Sequence, residues 1–327
     1  MDLIYPRKLR RGDEIRVVAP SASRAMVTEH DHVGLAEGRF ARLGVRLGYG
    51  GHVDERDARD SSSVASRIYD LHDAFADPSV SAVLTVIGGF NCNELLPHLD
   101  FDLIRANPKI FCGYSDTTAL HNAILARSGL VTYNGPAWAT FGMRDHFEQT
   151  LQWFAATLMS DDPVTIRPSP TWTDDLWFLD QDARTVLSTD GWWTVHPGRA
   201  SGQVVGGNLC TLNLLQGTPF MPSPADCILM VEDDLETYPN AFARDLSSLL
   251  QVPEARSIRA LVIGRFQRES GIRREMLEQI LSVHPWLATI PVVANVDFGH
   301  TTPLATLPIG GQATIDTSGP SITLTEH

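Results

Sequence analysis

No two cysteines in this sequence stand in a C-x-x-C spacing, and there are only four: Cys92, Cys112, Cys210 and Cys227. Their scarcity excludes a disulfide-stapled scaffold and a cysteine-rich zinc module. It predicts reduced, mostly buried thiols in a cytoplasmic protein. Long apolar runs are missing as well. None approaches ~18 residues, so no membrane span is expected. The basic residues near the N-terminus are not followed by the apolar core of a signal peptide. Positive charge is in short supply, with 26 Lys and Arg against 39 Asp and Glu and a formal net charge of −13. A nucleic acid polymer is bound through basic surface, so that partner class is excluded. A nucleotide-sized ligand held by a few local groups is not. Repeats and low-complexity segments are absent too. With 43% apolar and 20% charged residues, the 327-residue chain has material for a sizeable core in one large domain or two ordinary ones.

What is present is an alternation of strands and helices. Glu14 to Ala19 reads as a short apolar strand ending in the loop Pro20-Ser21-Ala22-Ser23. Val33 to Leu43 reads as a helix and Val45 to Leu47 as a strand. Ser61 or Ser62 can cap a helix whose apolar face is Val64, Ile68, Leu71 and Phe75. Asp77-Pro78 ends that helix, and Val80 to Ile87 is a buried strand. This order predicts an α/β protein with an N-terminal doubly wound, mostly parallel sheet. In the second half, strands are expected at 202–205, 227–231, 260–263 and 291–298, with helices between them. The tail alternates in strand fashion around 313–315 and 322–324, which makes the second α/β domain rich in β at its C-terminus. The stretch rich in Pro, Asp, Ser and Thr after Met159 marks the boundary. The expected division is residues 1–160, an interdomain loop 161–180, and residues 181–327.

The stretch from Ser81 to Leu125 organises the rest. A strand ends at Gly88-Gly89, and a second, Lys109 to Cys112, runs into Gly113-Tyr114-Ser115-Asp116-Thr117 and a helical pattern. A Ser between a buried strand and a helix is where a nucleophile elbow sits, with backbone N–H groups aimed at a developing oxyanion. The match to G-x-S-x-G is half complete, because Thr117 replaces the second Gly. The competing reading is that Ser115 only N-caps the helix.

Three polar residues share one setting at the end of an apolar strand: Ser115, Glu232 and His300. A Ser hydroxyl needs an imidazole to take its proton, and a carboxylate to hold that imidazole in the right tautomer. Each has rivals. His300 is one of 11 histidines, and Glu232 competes with Asp233, Asp234 and Glu236. Glu232 with Asp234 could also be a glycosidase carboxylate pair. His30 and His32 form an H-x-H pair, but no third ligand lies at metal-site spacing, so no metal is expected.

The segments GDEIRVVAPSAS, IGGFNCNELLPHLDFD, PKIFCGYSDTTALH, GGNLCTLNLLQGT, ILMVEDD and DFGHTTP span nearly the whole chain. Together they resemble the L,D-carboxypeptidase (S66) family of serine peptidases, and within it the microcin C7 self-immunity (MccF-like) branch. Ile87-Gly88-Gly89-Phe90-Asn91 stands where typical L,D-carboxypeptidases have R-G-G-Y-G, which favours that branch. The resemblance implies a catalytic triad of Ser115, Glu232 and His300. It places the oxyanion donors at the backbone of Gly89, or its neighbour Gly88, and Asp116. In this branch a loop tryptophan stacks on the nucleotide base, which falls on Trp177, with Trp172 next. Gly88, Trp177, Trp172 and Asn208 are the expected substrate-binding residues. No metal or organic cofactor and a homodimer are also implied. The leading expectation is a carboxypeptidase-type hydrolase cleaving an amide-type bond of a peptidyl or aminoacyl nucleotide. The alternatives are a murein tetrapeptide L,D-carboxypeptidase of peptidoglycan recycling, and a non-enzymatic nucleotide or amino acid binding protein.

Overall fold

The computed structural model describes residues 2–27 and 32–327. His30 of the H-x-H pair lies outside the described residues. The molecule is built on two sheets, each with a parallel centre. In the first, six strands lie in the spatial order Leu307–Ile309, Thr132–Asn134, Ile110–Gly113, Val80–Thr85, Glu14–Val18 and Arg46–Tyr49. All neighbours run parallel except Leu307–Ile309, which is antiparallel to Thr132–Asn134. The central strands are buried on both faces, which is why they read as continuous apolar runs rather than alternating ones.

The second sheet has eight strands, in the order Val164–Ile166, Ser321–Glu326, Gln312–Asp316, Arg199–Asn208, Cys227–Glu232, Ala260–Gly264, Val292–Val296 and Trp193–His196. The four strands from Arg199–Asn208 to Val292–Val296 are mutually parallel. The flanking strands are antiparallel. The fold is thus α/β, with a parallel-rich N-terminal sheet and a second, β-rich part, as the sequence predicts.

Several boundaries fall elsewhere. The helix Val64–Ala76 is capped by Ser63, whose hydroxyl accepts from the Ser66 N–H, and not by Ser61 or Ser62. Those two are buried, and the Ser61 hydroxyl donates to the Ser21 carbonyl. The region 161–180 is not featureless. Val164–Ile166 is an edge strand of the second sheet, and Thr171–Trp172 pairs with Leu187–Ser188. Leu307–Ile309 carries the C-terminal part of the chain back into the first sheet. Of the four thiols, Cys92, Cys112 and Cys227 are buried and Cys210 is exposed, and all are free. No helix among the described residues is long and apolar enough to cross a membrane.

The helix Thr118–Ser128 binds the two sheets together. Its Thr118 hydroxyl accepts from the Asn208 N–H at 2.9 Å, and Asn122 donates to the Gly206 carbonyl at 2.9 Å. This close approach explains Gly207, while the adjacent strand explains Gly206. A Cβ at Gly207 would lie 2.4 Å from the Thr118 hydroxyl, and one at Gly206 would lie 1.8 Å from the Met230 carbonyl oxygen. Both have positive φ, 137° at Gly206 and 130° at Gly207, which side chains strongly disfavour. The helix that begins just after Ser115 therefore packs on the strand beside Glu232.

Candidate active site

All three residues singled out from the sequence lie at the carboxyl ends of parallel strands, where open α/β sheets place their ligands. Ser115 follows Ile110–Gly113, Glu232 ends Cys227–Glu232, and His300 follows Val292–Val296. Ser115 sits in the left-handed region with φ 64°, a conformation uncommon for a residue with a side chain. It opens a short 3-10 turn, Ser115–Thr117, and Thr117 occupies the N-cap position of the following helix without a side-chain cap bond. The N-cap reading of Ser115 is therefore not what the structure shows. Strain of this kind persists where the surroundings impose it. Here Gly88 presses on the turn. A Cβ on Gly88 would come within 2.8 Å of Ser115 Cβ, 2.9 Å of its Oγ and 3.6 Å of the Asp116 backbone N. Gly89 faces the other way, onto Ser21 and Ala22.

Glu232 and His300 meet across the second sheet. His300 Nδ1 and Glu232 Oε2 are 2.7 Å apart, with the carboxylate side chain fully buried and the imidazole 17% exposed. Gly299 permits this. A side chain there would lie 2.5 Å from Glu232 Oε2. The imidazole packs against Tyr114, the residue before Ser115, at 5.2 Å between ring centroids. Among the described residues no direct hydrogen bond joins Ser115 Oγ to the imidazole. In unliganded active sites such contacts are often long. Burial lowers the His300 pKa, but the Glu232 charge and hydrogen bond, with Asp234 and Asp233 further off, outweigh it and hold it above its ordinary value.

The rival acids separate clearly. Asp233 is bonded elsewhere. Its Oδ1 accepts from the Asp234 N–H and from Asn208 Nδ2, and burial, then the Glu232 and Asp234 charges, push its pKa up to about 7. Asp234 accepts from the Glu236 N–H in a local turn. Asn208 is itself buried. It lies in register with Glu232, and its Oδ1 caps the helix Leu209–Asn213 by accepting from the Thr211 N–H at 3.1 Å.

The loop tryptophans have protein partners. Trp177 is half-buried, its ring edge-on to His32 at 5.2 Å, and packs on the core of the first sheet. Trp172 lies under the Arg265 guanidinium at 5.2 Å. It borders a cavity of about 280 Å³ with Ser169, Thr173, Gln149 and Thr302, two residues beyond His300. Trp192 is buried and donates to Asp297 Oδ2 at 2.8 Å, and Trp193 belongs to an edge strand. Sequence reasoning missed the support for the His300 strand, in which the buried Arg265 pairs with the buried Asp297 at 2.7 Å. It also missed the carboxylate of Asp116 and its partners Ser21, Asn91 and Cys92. The only trace of these in the sequence is that they fall at strand ends.

The chain matches the LD-carboxypeptidase N-terminal domain over residues 15–135 and the LD-carboxypeptidase C-terminal domain over residues 201–315. It is 45% identical over 313 residues to YocD of Bacillus subtilis (strain 168), covering 96% of each chain. It is 32% identical over 330 residues to the microcin C7 self-immunity protein MccF of Escherichia coli, covering 97% of this chain and 94% of that one. With a murein tetrapeptide carboxypeptidase of Pseudomonas aeruginosa it shares 30% identity over 279 residues, 84% of each chain. Its fold superposes with a TM-score of 0.96 on an MccF-like protein from Bacillus anthracis str. Ames, at 46% identity and over 99% of this chain and 100% of that one. It superposes with a TM-score of 0.89 on MccF in complex with glutamyl sulfamoyl guanosine, at 29% identity and over 98% of each chain. By sequence and by fold, this chain belongs to the LD-carboxypeptidase family of S66 peptidases.

Proposed function

We propose that the protein is a serine hydrolase of carboxypeptidase type, with Ser115 as nucleophile, His300 as general base and Glu232 as the carboxylate that orients it. The observation that carries this reading is the buried 2.7 Å Glu232–His300 bond, packed on the strained turn that holds Ser115. Ser115 attacks an amide-type carbonyl while His300 takes its proton. The backbone N–H groups of Asp116 and of Gly89 or Gly88 receive the developing oxyanion. His300 then protonates the leaving group, and water releases the acyl chain by the reverse sequence. The reading needs no metal. The described residues contain no group of three or more His, Cys, Asp or Glu arranged to hold one. A cytoplasmic homodimer is part of the same proposal.

The preferred substrate is a peptidyl or aminoacyl nucleotide. In support, MccF, similar along nearly the whole chain, forms a complex with glutamyl sulfamoyl guanosine. Two tryptophans also lie in the loop between the proposed domains. A murein tetrapeptide is the second reading, supported by the murein tetrapeptide carboxypeptidase among the relatives. The test is turnover of a peptidyl sulfamoyl-adenylate beside a murein tetrapeptide, with wild type and Ser115→Ala. The nucleotide reading expects faster turnover of the adenylate and loss of roughly 10³-fold or more in the variant. Turnover of the tetrapeptide alone would move the assignment to the murein reading. Undiminished turnover by Ser115→Ala would reject the serine mechanism. Tight binding without turnover or Ser115 acylation would favour a binding protein.

A further inference from the structure

Asp116 does more than follow the proposed nucleophile. Its side chain turns back into the protein and is 3% exposed. A single oxygen, Oδ2, gathers three donors: the Ser21 hydroxyl at 2.5 Å, the Asn91 N–H at 2.8 Å and the Cys92 N–H at 2.9 Å. An acidic side chain this near a helix start would ordinarily serve the helix's own free N–H groups. Here it serves two other loops, those following the strands Glu14–Val18 and Val80–Thr85. A buried carboxylate is costly unless it is hydrogen-bonded, and three donors on Oδ2 offset that cost.

The consequence falls on the glycine turn. Residues 88–92 are held at both ends. The Gly88 carbonyl accepts from the Ala22 N–H at 3.1 Å, and Asn91 and Cys92 are held by the carboxylate. Arg67, buried behind them, donates to the Asn91 carbonyl, Asn91 Oδ1 and the Pro20 carbonyl. Between these anchors Gly88 is pressed against Ser115, and Gly89 against Ser21. The Asp116 bonds hold the end of the turn that the Gly88 carbonyl bond does not reach.

We infer that the Asp116 carboxylate is a positioning group for the oxyanion site, fixing the Gly88–Gly89 backbone against Ser115 from the loop that also supplies the Asp116 N–H. The inference rests on the serine mechanism proposed above. Donors held in place before the reaction stabilise the oxyanion without reorganising, and a misplacement of ~1 Å costs about 10²-fold in rate. The N–H groups it positions make their contribution as charge develops on the carbonyl oxygen, so the carboxylate acts through them on the transition state more than on substrate binding.

The experiment uses the full chain and two variants, Asp116→Asn and Ser21→Ala, assayed on whichever substrate the wild type turns over. Asp116→Asn keeps the shape but replaces the charged acceptor, and should lower kcat by about 10²–10³-fold, the effect of losing an oxyanion donor. Ser21→Ala removes one donor of three and should lower kcat about tenfold. KM should stay within about threefold in both. Affinity for a peptidyl boronic acid, which forms a tetrahedral adduct on Ser115, should fall in proportion to kcat. Affinity for an unreactive substrate analogue should not. A kcat within about threefold of wild type overturns the inference. So does a parallel loss of kcat and analogue affinity with early melting, which marks a merely structural role. Should Asp116→Asn not fold, Ser21→Ala decides alone on the same criteria. Ser115→Ala separates the two levels. If it is inactive while Asp116→Asn is normal, only this inference fails. If it turns over normally, the serine mechanism fails.

Discussion

Replacing Glu232 by Gln keeps the volume of a fully buried side chain and removes its charge. In the wild type, Oε2 lies 2.7 Å from His300 Nδ1. The charge centres of carboxylate and imidazolium are then about 4 Å apart, and at an effective dielectric near 20 their attraction is about 4 kcal/mol. Each 1.36 kcal/mol is tenfold in rate, so the pH-independent plateau of kcat/KM should fall about 10³-fold. A carboxamide that offers its NH2 to Nδ1 also fixes the wrong tautomer, so the loss can reach about 10⁴-fold. The pH profile carries a second, signed expectation. The base must be neutral, so activity rises with pH through the His300 pKa. Burial lowers that pKa, but the Glu232 interaction outweighs it and raises it in the wild type. In Glu232→Gln the burial remains and the main opposing interaction is gone, so the acid limb should move to lower pH. Stability follows the same linkage. A raised histidine pKa contributes stability that is complete below about pH 6.5, the unfolded value, and is lost as pH rises through the folded one. The variant should therefore be more destabilised at pH 5 than at pH 8. The assay is kcat/KM across pH 5–9 with melting curves at both ends. A plateau within tenfold of wild type, or a limb that moves to higher pH, refutes the assignment of Glu232 as the orienting acid.

Gly88→Ala puts a Cβ 2.8 Å from Ser115 Cβ. It should cost about 10²-fold in kcat while the melting temperature changes little, and a normal kcat would show that the turn has room to spare. Gly206→Ala forces a Cβ to 1.8 Å from the Met230 carbonyl oxygen at φ 137°. Strain and overpacking together should lower unfolding free energy by about 3 kcal/mol or more, read from denaturant midpoints, and a loss below about 1 kcal/mol would contradict the close approach of Arg199–Asn208 to its neighbour Cys227–Glu232 within the second sheet. Trp177→Ala should lower kcat/KM for an adenylate about 5–150-fold, the factor for ~1–3 kcal/mol of base stacking, and spare a murein peptide. Equal losses on both, with early melting, would leave Trp177 as a staple on His32 and turn attention to Trp172. Activity should persist in EDTA, and a loss restored by zinc would reject the metal-free mechanism.

The order of strands and helices was legible in the chain because local pattern determines it. Apolar runs of four to six residues became the buried parallel strands, and the 3.6-residue period of Val64, Ile68, Leu71 and Phe75 became a helix. That each strand ends on a polar or glycine-rich turn also determined where a site would lie, and the resemblance assigned Ser115, Glu232 and His300 to it. The sequence alone could not choose Glu232 over Asp233 or Asp234. Successive residues of a strand face opposite sides, but which side holds His300, 68 residues away, is settled by the register of neighbouring strands. Nor could it tell a capping Ser115 from a strained one, since the φ of 64° goes with a glycine turn pressed on it from another strand. The short strand Leu307–Ile309 carries too few residues for a period. Its place in the first sheet comes from pairing with Thr132–Asn134. The Asp116 carboxylate meets a hydroxyl 95 residues distant. Periodicity and turn chemistry act over a few neighbouring residues. Which groups face one another across tens to hundreds of residues is decided within each sheet by strand order and register, and between Ser115 and the Glu232–His300 pair by the helix Thr118–Ser128 packing on Gly206-Gly207.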